Sequence, residues 1–166
     1  MNPSLNKMLE DSAGRYLADE EKRALLEYTE SLPMRLQVAA NVQKIEDKAL
    51  RKAVEQIRQK YPEFYKARPE SGAERTLRDF SLVVRHTVLA MICADRDLQE
   101  DRLLTWLGKM LSGLNFTAQF NRDSYIFVRD QLKAALPADN YALLEPYLNI
   151  NIESLGSIYE PQAATA

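Results

Sequence analysis

An all-α fold is predicted by three features of the 166-residue sequence. Apolar residues recur every three or four positions rather than every second position, which is the spacing of amphipathic helices. Only five Gly and seven Pro interrupt these stretches, so helices joined by short connections are expected. No stretch repeats at a period of about 30 to 45 residues, and this favours a compact bundle or globin-like body over a solenoid.

The N-terminal part predicts a short helix followed by a long one. Pro3 opens the first helix and Gly14 closes it. Ala18 and the acidic residues 19–21 begin the second helix, and Pro33 is expected to break or kink it. A long amphipathic helix then ends near Pro62, and its apolar stripe consists of Val38, Val42, Ile45, Ala49, Ala53, Ile57 and Tyr61.

The remainder predicts four more helices. Residues 62–72, with two prolines and a glycine among charges, are the expected internal loop. A helix follows to Ala94, and residues 95–100 form a polar turn. The last three helices begin at Asp101, near residue 121 and near Tyr141, and the small polar residues at the C-terminus are expected to be frayed.

Charge and composition exclude several classes of function. The 22 Lys and Arg residues against 24 Asp and Glu residues give a net charge of −2, so no basic field is available for nucleic acid. No apolar run reaches the roughly 20 residues of a membrane-spanning helix, which predicts a soluble, cytoplasmic protein without membrane insertion. Cys93 is the single cysteine, and with His86, the single histidine, it cannot complete a structural zinc site.

No motif indicates catalysis. A catalytic triad and a phosphate-binding loop are both lacking, so no catalytic residue, no metal and no enzymatic activity are predicted. We expect His86 to be a partly buried or surface residue and Cys93 a small buried apolar one. Trp106 is expected to be a core or interface anchor, and the acidic turn a solvated cap of the next helix rather than a calcium loop.

One charged constellation stands out on the helix that follows the internal loop. Arg75, Arg78, Asp79 and Arg85 lie within about three turns of a helix whose other face is apolar. The simpler interpretation is a solvated charged edge. The alternative is a groove in which guanidinium groups meet the carboxylates of a ligand or of a neighbouring subunit.

The order of several short motifs resembles that of a known family. They are the turn Gly14-Arg15-Tyr16-Leu17, the pair Tyr61-Pro62, Arg78-Asp79 followed by Arg85, and the ending Pro146-Tyr147-Leu148-Asn149-Ile150-Asn151-Ile152. Together they are similar to the phycobiliproteins, the globin-like subunits of the cyanobacterial phycobilisome. The resemblance covers about 145 residues of the 166, with one gap.

The resemblance implies both an architecture and an interface. Residues 1–33 would form a helical association hairpin that projects from a globin-like body over residues 34–158, and residues 159–166 would be a flexible tail. The family's ion pair between subunits is matched by Asp11 and Arg85. Arg15 and Tyr16 complete the implied subunit interface.

The family's pigment pocket is only partly matched. The implied ligand pocket consists of Arg75, Thr76, Arg78 and Asp79, and Thr76 stands where the family carries the cysteine that attaches the bilin. A hydroxyl cannot form the thioether. Cys93 lies seventeen positions further on, about 25 Å along a helix, and cannot replace that cysteine. No covalently bound cofactor is therefore expected.

Two functions remain open. In the favoured one, the chain associates with phycobiliprotein subunits or with itself in phycobilisome assembly, turnover or regulation, in the cytoplasm and at the thylakoid surface through the phycobilisome. In the alternative, Arg78 and Asp79 hold a bilin without a covalent bond, and the protein is a carrier or sensor. A globin-like sensory domain outside photosynthesis is a further possibility.

Overall fold

The computed structural model describes residues 3–66, 71–113 and 116–157, and these residues contain helices and no strand. The all-α prediction is therefore confirmed. The predicted tail lies outside the described residues. In chain order the elements are α1 (Pro3–Asp11), α2 (Asp19–Lys60), α3 (Pro62–Lys66), α4 (Ser71–Cys93), α5 (Asp97–Gln99), a π-helical segment (Glu100–Leu104), α6 (Thr105–Gly113), α7 (Ala118–Ala135) and α8 (Ala138–Gly156).

The core of the globin-like body lies between the C-terminal half of α2 and helices α4, α7 and α8. Helix α7 packs against both α2 and α8, and α4 packs against the same two helices. This burial of apolar side chains from four helices is the main source of stability. Its fully buried members include Val38, Leu50, Ile57, Val83, Met91, Leu132, Leu144, Leu148 and Leu155.

Helix α2 continues through Pro33, so the expectation of a break there is wrong. A proline inside a helix removes one backbone hydrogen bond and crowds the preceding turn. Contacts on either side of Pro33 hold the helix together, because Tyr28 and Arg35 both reach the last turn of α4. The Tyr28 hydroxyl donates to the carbonyl oxygen of Ile92 at 3.4 Å, and the Arg35 guanidinium donates to that of Met91.

The predicted loop over residues 62–72 begins as a helix. Pro62 takes the first position of α3, where its missing N–H has no partner to lose. The ring of Phe64 then packs against Phe120 of α7 at a centroid distance of 4.5 Å. This packing stabilises α3. The proline and charge content of the segment does not predict it.

The polar turn after α4 is shorter than predicted, because α5 begins at Asp97. Asp95 is buried, and its Oδ1 accepts the N–H of Leu98 at 3.0 Å. The residue therefore caps the following helix as expected, but it is not the solvated residue that the acidic turn predicts. Thr117 does the same for α7, where its Oγ1 accepts the N–H of Phe120 at 3.1 Å.

A buried polar cluster joins α4, α5 and α8. Gln99 of α5 donates through Nε2 to Thr87 Oγ1 of α4 at 3.0 Å and to the carbonyl oxygen of Tyr147 at 3.2 Å. Asn151 of α8 donates through Nδ2 to the same threonine oxygen at 2.9 Å. Because these groups are shielded from water, their hydrogen bonds specify how the three helices meet.

Helix α4 ends in a Schellman motif that places Ala94 in the left-handed region with φ of 51°. The N–H of Asp95 donates to the carbonyl oxygen of Ala90 at 2.9 Å, and that of Ala94 donates to Met91 at 3.2 Å. Glycine is the residue favoured at this position, because an L side chain is strained there.

We expect Ala94→Gly to raise the free energy of unfolding by about 1 kcal/mol, since glycine adopts this backbone conformation without strain. Urea denaturation followed by circular dichroism measures the change. The control is Ala142→Gly at an exposed interior position of α8, where the same substitution should lower the free energy of unfolding by about 1 kcal/mol. Equal losses in the two variants would contradict the prediction.

Candidate association site

The N-terminal half of α2 is poorly covered by the rest of the chain. Residues 19–37 include no buried side chain, and burial along α2 begins at Val38. Large apolar side chains are nevertheless present in and before this half. Tyr16 is 97% exposed and Leu26 is 59% exposed, and Met34 and Leu36 are also exposed. Large apolar side chains exposed on a helix that the rest of the chain leaves uncovered favour binding to another protein.

Helix α1 packs against α2 through its own apolar face. Leu5 and Met8 are buried, whereas Leu9 is exposed. Gly14 turns the chain between the two helices with φ of 88°, a conformation that glycine adopts without strain. The predicted helix start, turn and second helix are thus present, and Asp11 is exposed at the end of α1.

Arg15, a predicted interface residue, is bound within its own chain. Its Nη1 and Nη2 donate to the two carboxylate oxygens of Glu21 at 2.8 and 2.7 Å. The N–H of Ala18 donates to Glu21 Oε2 at 2.7 Å. The Arg15 guanidinium and then this N–H lower the pKa of Glu21 to about 2. The ion pair fixes the start of α2.

Arg85, the predicted partner of a carboxylate on another subunit, contacts a carboxylate of its own chain. Its Nε donates to Oε1 of Glu46 at 3.0 Å. The two side chains differ sharply in exposure, because that of Arg85 is 71% exposed and that of Glu46 only 11%. Glu46 therefore holds the guanidinium from beneath, through Nε.

Two adjoining clefts follow the seam between α2 and α4. Their volumes are about 600 and 480 Å³, and both are lined by Gln43, Glu46 and Arg85. The larger cleft is also lined by apolar residues, including Leu36 and Val88. The smaller cleft extends the groove towards Arg78, Leu82, Asp47 and Glu74. The two form one groove with an apolar end and a charged end.

The residues of the predicted ligand pocket do not all face the same way. Arg78 and Asp79 form an ion pair at 3.5 Å, and Arg78 lines the groove against α2. Thr76 Oγ1 donates to the carbonyl oxygen of Gly72 at 2.9 Å and lies 3.2 Å from the hydroxyl of Tyr65 in α3. Because Thr76 and Arg78 are two residues apart on α4, their side chains point in directions that differ by about 160° around the helix.

Around the axis of α4, Asp79 and Arg75 lie between the directions of Thr76 and Arg78. The pKa of Tyr125 in α7 is raised, mainly by burial and to a smaller extent by the negative charge of Asp79. Arg75 is exposed. The predicted pocket therefore divides between the α3 side and the α2 side of α4, and the structure joins only Arg78 and Asp79 by a direct contact.

The other residues singled out in the sequence lie outside this groove. His86 is partly buried, and its Nδ1 donates to the carbonyl oxygen of Leu82 at 3.0 Å. Cys93 is partly buried. Trp106 is 57% exposed on α6, so it is not part of the core. Within the described ranges, no group of three or more His, Cys, Asp or Glu side chains could hold a metal ion.

The sequence does not predict the residues that bind Arg85, Thr76 and Arg15. They are Glu46, Tyr65 and Glu21, respectively. Glu46 was detectable, because it lies four positions after Val42 and three before Ala49, on the buried face of α2. A carboxylate at such a position requires a compensating charge. Tyr65 had no comparable signal, since its contact with Thr76 depends on the chain folding back after α2.

We expect the pKa of Glu21 to rise from about 2 towards its ordinary value of 4.5 in Arg15→Ala. The low pKa in the folded state means that the Glu21 carboxylate stabilises this turn above pH 4.5, and that the contribution is lost as the pH falls towards 2. Side-chain carboxyl shifts in NMR titrations measure this pKa. Lys22→Ala is the control, and an unchanged pKa in Arg15→Ala would contradict the assignment.

Comparison with known proteins assigns this architecture to a family. The described residues include no helix that is both long and apolar enough to cross a membrane. No curated protein matches the chain. A family model described as phycobilisome protein matches residues 9–155, which extend from α1 into the last helix. The chain belongs to the phycobilisome protein family.

Proposed function

We propose that this protein is a phycobilisome subunit without a covalent pigment, which acts by protein association in assembly, turnover or regulation of light harvesting. Its partners are phycobiliprotein subunits or a second copy of itself, and it works at the thylakoid surface through the phycobilisome. The observation that carries the proposal is the exposure of four large apolar side chains, Tyr16, Leu26, Met34 and Leu36, on the part of the molecular surface that the rest of the chain leaves uncovered. This surface requires a protein partner more than a small ligand.

Family membership supports an associating role. Phycobiliproteins assemble into oligomers with other subunits, bind bilins and are light-harvesting rather than catalytic proteins. The charged groove between α2 and α4 shares helix α2 with the exposed apolar side chains, and Leu36 lines it. In the proposed contact, the N-terminal hairpin of one chain binds the groove of another, so each chain carries both sides of the interface.

The proposed ion pair between subunits joins Asp11 of one chain to Arg85 of another. Both residues are exposed, and Glu46 engages Arg85 only at Nε. Both Nη groups of Arg85 can therefore donate to a second carboxylate in a bidentate contact, which is stronger and more strictly oriented than a single hydrogen bond. Arg15 differs, because Glu21 already occupies both of its Nη groups. Its role in the interface is to hold Tyr16 and the turn in place.

Asp11→Ala and Arg85→Ala should each weaken association about tenfold, since each leaves one charge of the contact unpaired. Sedimentation velocity of the protein alone and mixed with phycobiliprotein subunits measures the change. The controls are Asp139→Ala and Arg102→Ala, which remove exposed charges from α8 and the π-helical segment. Association that is unaffected by both site variants would count against the proposal.

The absence of a covalent pigment has its own support. Thr76 provides a hydroxyl, which donates to Gly72 and cannot make a thioether. The retained ion pair of Arg78 and Asp79 favours the second candidate, a carrier that holds a bilin without a bond. Such occupancy depends on the free concentration of the bilin.

A bilin mixed with the purified protein should leave no colour on the chain after denaturing electrophoresis. Gel filtration under native conditions then distinguishes the two candidates. A visible band that coelutes with the protein and is reduced in Asp79→Ala identifies a carrier, whereas a colourless protein peak supports the association role alone. Pigment that survives denaturation would overturn the assignment of Thr76.

A further inference from the structure

Three lysines follow one another along the outer side of α2. Lys44, Lys48 and Lys52 are spaced four residues apart, and all three are exposed. This spacing places them within an arc of about 80° and along about 12 Å of the helix. The buried residues of this part of α2, such as Ala49 and Ala53, lie on the other side of the helix. The three lysines are called the lysine row, and the row faces away from the core.

The lysine row carries charge that the chain does not compensate. Within the described residues, the side chains of the row take part in no ion pair and no hydrogen bond. The two arginines beside the row differ, because Arg51 pairs with Asp47 at 2.9 Å and Arg58 with Glu55 at 3.8 Å. Like charges four residues apart destabilise a helix, so the row costs stability and is not explained by the folding of α2.

The net charge of the whole chain does not cancel this local charge. The value of −2 is a sum over all residues, whereas charges beyond the Debye length of about 8 Å are largely screened at physiological salt. The carboxylates of Asp47 and Glu55, which lie beside the row, are each paired with an arginine. A partner at the outer side of α2 therefore meets an excess of positive charge.

The surface around the row contains no apolar anchor. After Leu36, α2 has no exposed large apolar side chain. The same side of the helix carries the exposed amides Gln37 and Gln59 beyond the two ends of the row. Interfaces between proteins are depleted in lysine and depend on buried aromatic and apolar residues. A row of flexible lysines along one helix is instead suited to a flat layer of negative charges.

We propose that the lysine row binds the surface of a lipid bilayer that contains anionic headgroups. Helix α2 then lies along the bilayer, and the binding is electrostatic, without insertion of apolar side chains. The inference goes beyond the proposed association, because it gives the chain its own contact with a membrane surface. The row lines neither cleft of the groove between α2 and α4, so the two proposed contacts use different residues.

Flotation of lipid vesicles tests the proposal with the full chain. The protein should float with vesicles of phosphatidylglycerol and phosphatidylcholine in equal parts, and it should not float with phosphatidylcholine alone. Salt at about 1 M, where the Debye length is about 3 Å, should release the protein. Each lysine near an anionic bilayer strengthens binding about fivefold, so the triple variant Lys44→Gln, Lys48→Gln and Lys52→Gln should bind about 100-fold more weakly.

The control is the triple variant Lys22→Gln, Lys109→Gln and Lys133→Gln, which removes the same charge from exposed lysines outside the row. It should bind the vesicles as the original protein does, and circular dichroism establishes that all variants are folded. Equal losses in the two triple variants, binding to neutral vesicles or a lack of flotation would each overturn the proposal. Binding to double-stranded DNA in place of the vesicles would also overturn it. Sedimentation measures the association between subunits separately, so a failure of one proposal leaves the other standing.

Discussion

The guanidinium of Arg35 donates to the carbonyl oxygen of Met91, and this contact connects the N-terminal half of α2 to the end of α4. The same oxygen accepts the N–H of Ala94, and Arg35 adds a positively charged donor at the C-terminal end of α4, where the helix dipole favours a cation. Tyr28 provides a second contact with the same end of α4. Both contacts lie on one side of α2, and residues 19–37 of the helix include no buried side chain.

The same end of α4 also determines the course of the chain that follows. Ala94 turns it in the left-handed conformation, and buried Asp95 caps α5. Gln99 then enters the polar cluster with Thr87 and Asn151. The body therefore joins α4 to α8 through hydrogen bonds as well as through apolar packing, which restricts the alternative arrangements of these helices. A rigid α4 matters for the proposed association, because this helix carries Arg85.

The apolar periodicity was sufficient to predict the helices of the body, and turn residues such as Gly14 located the first two. Pro33 was misleading, because local propensity predicts a break and the contacts of Tyr28 and Arg35 prevent it. The helical start of the expected loop at Pro62 depends on ring packing from α7, which is distant in sequence. For the candidate site, the sequence identified Arg85 but not the carboxylate beneath it, since pairing across two helices requires the fold.

Arg15 and Arg85 show why the geometry of an ion pair matters more than its presence. Glu21 binds both Nη groups of Arg15, so this pair is complete within the chain and serves the local turn. Glu46 binds Arg85 from beneath, at Nε. With a net charge of only −2, the protein has no long-range field to attract a partner. Charges beyond the Debye length of about 8 Å contribute little at physiological salt. The proposed association therefore depends on short-range contacts, and the exposed guanidinium of Arg85, held by the buried Glu46 carboxylate, is the contact proposed for it.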